Sequence, residues 1–104
     1  MTAIFIVRAQ VPAADRGAFD RWYEAEHLPD AKANFGATAA RRGWSDTDPG
    51  EHVAVYEFAS LDTARKIAAK DGSAVIQALI AEFDRVWGGR IPRTREIIGI
   101  SQTI

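Results

Sequence analysis

One segment of this chain concentrates side chains able to move protons: Phe19-Asp20-Arg21-Trp22-Tyr23-Glu24-Ala25-Glu26-His27-Leu28-Pro29-Asp30. Phe19, Tyr23 and His27 stand at i, i+4 and i+8, which puts them on one face of a helix. That apolar stripe therefore ends in an imidazole in the helix's last turn, just before a proline break. Imidazole is the side chain whose ordinary pKa best suits general acid/base work near neutral pH. Tyr23 or Glu24 can orient it from one turn back, and Asp30 can reach it from the following segment. Facing inward, the ring looks into the space between helices and sheet. Small-molecule pockets in such places are lined by apolar and aromatic groups with a few polar ones. The expected chemistry is proton transfer on a hydrophobic carbonyl or phenolic substrate, with His27 as the catalytic group. A structural histidine, bonded to a backbone carbonyl or a carboxylate, is the competing reading.

Tyr23, Asp30, Trp44 and Tyr56 form the expected substrate-binding set. Tyr56 belongs there because it shares one side of its strand with Phe58, although Trp22, Tyr23 and the other aromatics also read as packing residues. Of Arg41 and Arg42, one can meet a substrate carboxylate and the other must face away. Only two histidines occur, and His52 stands beside a turn, where exposure is expected. Without cysteine or a paired-histidine helix motif, no metal site is expected; a site from His27 with Glu26 or Asp30 is the alternative. Gly88-Gly89 follows a helix instead of preceding one, so it reads as a stop signal and not a phosphate cradle. No serine sits in a strand-turn-helix elbow.

The elements that must position these groups follow from periodicity. Residues 2–11 are rich in β-branched side chains and end at Pro12, predicting a strand. Asp15 is expected to cap a helix that stops or kinks near His27, because Pro29 lacks an amide hydrogen and disfavours helix at Leu28. A short second piece, residues 29–35, ends at Gly36. Residues 38–46 and 52–59 pair as a hairpin across the turn signal Asp46-Thr47-Asp48-Pro49-Gly50. Ser60 caps a helix to about Lys70. Ser73 caps another, with an apolar stripe of Val75, Ile76, Leu79, Ile80, Phe83 and Val86/Trp87. The last strand covers residues 94–101. The order β-α-β-β-α-β predicts one α+β domain over residues 1–104: a ferredoxin-like, four-stranded antiparallel sheet with helices on one face.

Alternation then speaks about partners. Ile4 and Ile6 share one face of the first strand, and Ala3, Phe5, Val7 and Ala9 the other. In the third strand Ala54, Tyr56 and Phe58 oppose Val53, Val55 and Glu57. Helices cover only one of these apolar faces, so the other is expected to meet a second copy in a two-fold homodimer. Long polar side chains or the C-terminal Ser101-Gln102-Thr103-Ile104 are the alternative cover. The same topology builds RNA-recognition domains, but Val53 and Val55 stand where bases would stack on aromatic planes.

The 104-residue chain carries a net charge of -1 and no cysteine, with a pI near 6.1. That balance argues against nucleic-acid or membrane-surface binding, and against disulfide scaffolds. No apolar run approaches the roughly 20 residues of a membrane span. The opening apolar run is too short for a signal peptide and lacks a basic start, so a cytoplasmic location is expected.

The pattern of Phe19, Trp22, Tyr23, Glu26, His27, Pro29 and Asp30 resembles the first-helix signature of EthD-like proteins. These belong to the dimeric α/β-barrel superfamily, in which two ferredoxin-like subunits press their sheets together. The resemblance implies a pocket between sheet and helices in each subunit, with His27 pointing into it. It also implies a range of activities: isomerases, polyketide cyclases, cofactor-free monooxygenases and haem-binding members. The expectation is a small hydrophobic or aromatic ligand and no cofactor, with haem on His27 as an alternative. A non-catalytic dimer that binds a ligand or assists assembly would share every fold feature.

Overall fold

The computed structural model describes residues 2–69 and 73–104. Strand β1 (Ala3–Gln10) leads through a short 3-10 turn (Ala13–Asp15) into helix α1 (Arg16–Trp22), a π-helical segment (Tyr23–His27) and helix α2 (Leu28–Phe35). Strands β2 (Ala39–Trp44) and β3 (Glu51–Phe58) follow, then helices α3 (Leu61–Ala68) and α4 (Ala74–Trp87) and strand β4 (Arg93–Gly99). The sheet order is β2-β3-β1-β4, with every neighbouring pair antiparallel. This is the predicted ferredoxin-like arrangement, with β1 and β3 central.

Local chemistry explains most boundaries. The Ser60 and Ser73 side chains accept from the backbone amides of Thr63 and Ile76, satisfying donors that open helix ends leave unpaired. Gly36 ends α2 in the left-handed region at φ 64°, a conformation that costs glycine little. Asp15 differs from expectation: it makes no capping bond, and its carboxylate instead accepts from Arg90 at 3.1 Å. Leu28 differs too, staying helical at φ -65° and ψ -47° despite the following proline. The Leu28 amide bonds back to the Tyr23 carbonyl, five residues earlier. This wider turn makes room for the Pro29 ring, which in a regular helix clashes with a carbonyl four residues back. The helix therefore runs through where a break was expected. The predicted end of the third helix, at Lys70, lies outside the described residues.

Alternation sets the two faces of the sheet. Ala3, Phe5 and Ala9 of β1 and His52, Ala54, Tyr56 and Phe58 of β3 are buried beneath the helices. Phe5 and Tyr56 are register partners and stack at 6.0 Å, and Phe35 of α2 meets both edge-on at 5.8 and 5.1 Å. On the other face Ile4, Val53 and Val55 are half-buried and Ile98 is 36% exposed. Ion pairs flank them: Arg8 lies 2.6 Å from Glu96, and Arg41 lies 4.0 Å from Glu57.

Candidate functional site

The widened turn brings Tyr23 and His27 to the underside of the first helical arm, where both are buried. Trp22 stacks on the imidazole at 4.6 Å with the planes 20° apart, Tyr23 meets it edge-on at 4.8 Å, and Phe83 of α4 does so at 5.9 Å. Among the described residues no side chain or carbonyl hydrogen-bonds this ring, so the expectation of a bonded structural histidine has no partner to support it. Burial among aromatic rings pushes the His27 pKa down to about 4, and the Arg93 charge pushes the same way against a smaller opposing effect of Glu82. His27 is therefore neutral at neutral pH and able to accept a proton.

His27 lies on a narrow cavity of about 30 Å³ between helices and sheet, roughly the share of one water. Phe5, Phe35, Leu79, Ile80 and Phe83 supply apolar walls, and the other polar groups are Tyr23, Tyr56, Arg93 and Arg95. Burial raises the Tyr23 pKa to about 12 against the opposing influence of the Tyr56 hydroxyl, and it holds Tyr56 well above its ordinary value. Both phenols thus stay protonated and are able to donate a hydrogen bond.

His27, Tyr23 and Tyr56 are brought together as expected, and two other candidates are placed elsewhere. Asp30 is exposed on α2 and lines a separate surface groove with Asn34 and Glu82. Trp44 packs against Phe19 and His52 and donates its indole N–H to Asp20 at 2.9 Å. Arg42, facing the helices, pairs with the same Asp20 at 2.8 Å, while Arg41 lies on the opposite sheet face. His52 corrects an expectation of exposure: it is 1% exposed. Strand alternation puts His52 on the same helix-facing side as Ala54, Tyr56 and Phe58, opposite Ala9 and Trp44, and the neighbouring turn does not expose it. Its ring lies 4.4 Å from that of Tyr23, and burial pushes its pKa to about 4.

Arg93 and Arg95 escaped sequence reasoning. They alternate with Thr94 and Glu96 along an edge strand, a pattern that reads as a solvated ladder. In register they stand beside Ala9 and Val7, small side chains that leave room for guanidinium groups over the helix-facing side. Arg93 donates to Asp84 at 2.7 Å and lies 3.8 Å above the Phe83 ring. Among the described residues no three metal-binding side chains cluster, and no helix is long and apolar enough to cross a membrane.

No protein-family profile and no curated protein matches this chain. Solved structures do. SnoaB, a cofactor-independent oxygenase from Streptomyces nogalater, superposes with a TM-score of 0.69 at 14% identity, over 99% of this chain and 96% of that one. An EthD family protein from Bacillus halodurans gives 0.70 at 15% identity, over 96% and 99%. An antibiotic biosynthesis monooxygenase gives 0.65 at 14% identity, over 98% and 100%. With strand order, helix placement and these whole-chain superpositions in agreement, the chain has a ferredoxin-like fold, one it shares with an EthD family protein.

Proposed function

We propose that this chain binds a small hydrophobic carbonyl or phenolic compound between sheet and helices, and that His27 moves a proton on it. The observation that carries the reading is a buried imidazole, held neutral and with no hydrogen-bond partner among the described residues, on an apolar cavity with two phenols and two guanidinium groups beside it. His27 takes a proton from the carbon beside a carbonyl or from a phenol. Tyr23 or Tyr56 donates to the oxygen that gains charge, and the arginines favour that anion electrostatically. Isomerisation follows when the proton returns at another carbon, and cyclisation when the carbanion attacks a second carbonyl carbon of the same molecule, opening its C=O π bond to an alkoxide that takes the proton back from His27. Oxygenation follows when molecular oxygen reacts with the anion. The oxygenase and monooxygenase among the superposed structures support the same class of chemistry.

The free cavity holds about one water, so the body of a ligand lies outside it, in the larger adjoining groove along β4, and only the reacting end reaches His27. A haem on His27 does not fit this space. The apolar outer sheet face supports a homodimer through Ile4, Ile6, Val53 and Val55.

The test is deuterium exchange from solvent into a panel of activated carbonyl and phenolic compounds. His27→Gln is expected to keep the fold and ligand binding while exchange falls about 10²- to 10⁴-fold, the usual contribution of positioned proton transfer. Exchange that persists in His27→Gln would show that His27 is not the group that moves the proton, and no exchange by the intact chain would leave ligand binding without catalysis.

A further inference from the structure

We infer that the ligand of this site is an apolar carboxylic acid, anchored through its carboxylate by Arg95 where the narrow cavity opens into a groove along β4. Arg93 and Arg95 line both spaces. The groove has room for about 470 Å³, with Phe5, Ala68 and Ile97 among its walls, enough for a bicyclic aromatic body.

Among the described residues the charges facing this junction do not balance. From β4 come Arg93, Arg95 and the groove-lining Glu96, whose carboxylate is held by Arg8 at 2.6 Å, and from α4 comes Asp84, which is committed to Arg93. Glu82, also on α4, is held by Arg85 through two bonds at 2.7 and 3.2 Å. From β1 the neighbours are Val7 and Ala9, and Asp30 of α2 belongs to a different groove. Among the described residues Arg95 has no ion-pair or hydrogen-bond partner, and it is half-buried. Burial and the neighbouring Arg93 both disfavour its charge, as expected of a cation that lacks its counter-ion. A carboxylate there receives two parallel N–H bonds from one guanidinium group. Its apolar body then lies on Phe5 and Ile97, with the reacting carbon toward His27.

This assignment rests on the pocket described above but not on catalysis, and one experiment separates the two. Binding of 2-naphthoate and of 2-naphthalenemethanol, which share a ring system and differ in charge, is measured by calorimetry. The intact chain, Arg95→Gln, Arg95→Lys and His27→Gln are compared at constant salt. The intact chain is expected to favour the acid at least about tenfold, and Arg95→Gln to lose that preference while still binding the alcohol. Arg95→Lys should keep part of it, because the charge remains but the planar fork does not. His27→Gln should bind the acid as the intact chain does. Equal binding of both probes by the intact chain, or a preference that survives in Arg95→Gln, would overturn the anchor and leave the pocket standing. Failure of both probes to bind would remove the pocket itself, and the anchor with it.

Discussion

At the scale of single residues, burial decides the protonation of both histidines. His27 and His52 are nearly inaccessible, and each has its pKa lowered to about 4 from an ordinary 6.5. Below pH 6.5 the unfolded chain binds protons that the folded chain refuses, so folding stability falls as pH drops from 6.5 toward 4 and is flat above. Each histidine is expected to account for about 1–3 kcal/mol of that fall. Urea titrations across this range measure it, and His27→Gln and His52→Gln should each flatten part of the slope. Residue identity was legible in the sequence where a period governs it. Phe19, Tyr23 and His27 share a helical stripe, and Tyr56 follows strand alternation. Trp44 and Asp30 depended on a third dimension: Asp20 draws the Trp44 indole away from the cavity, and Asp30 falls on the outer side of α2. Arg93 and Arg95 were hidden because alternating charge on an edge strand usually means solvent.

At the scale of elements, the π-helical segment positions the site. One extra residue in the turn absorbs Pro29 and keeps the inward stripe continuous from Phe19 through His27 into Ala31 and Phe35, all buried. The proline was readable as a perturbation. Whether it breaks or widens a helix depends on packing on both sides, which no local pattern contains. Deleting Ala25 should restore a regular ladder and rotate one flank by about 100° relative to the other. The expected outcome is a folded protein whose His27 no longer stacks on Trp22, seen as a changed Trp22 emission in a chain carrying Trp44→Phe and Trp87→Phe, and as loss of exchange activity. Unchanged fluorescence and activity would show that the widening is incidental.

At the scale of the whole molecule, a four-stranded sheet with helices on one side leaves its second side to be covered. Val55 lies half-buried on that side, paired with Ile6 of β1 and Arg41 of β2. Val55→Lys puts a charge at the centre of the proposed seam, so sedimentation should show a dimer converted to a monomer, with little change in the helix-facing core. A dimer that survives the substitution would place the contact elsewhere. This much of the architecture was legible early, because element order and two-sided alternation constrain topology strongly. The candidate site was legible only where the stripe of the first helical arm or the alternation of β3 carries it. The residues that complete it come from β4, the edge strand, and meet His27 only once the sheet has formed.

The account turns on a neutral imidazole at His27, and its titration by nuclear magnetic resonance in the His52→Gln chain measures that directly. A single histidine titrating near pH 4, with a neutral ring throughout pH 5–7, is the predicted result. A midpoint at or above 6.5 would mean a solvated or carboxylate-paired ring, and would contradict the buried base on which the proposed chemistry depends.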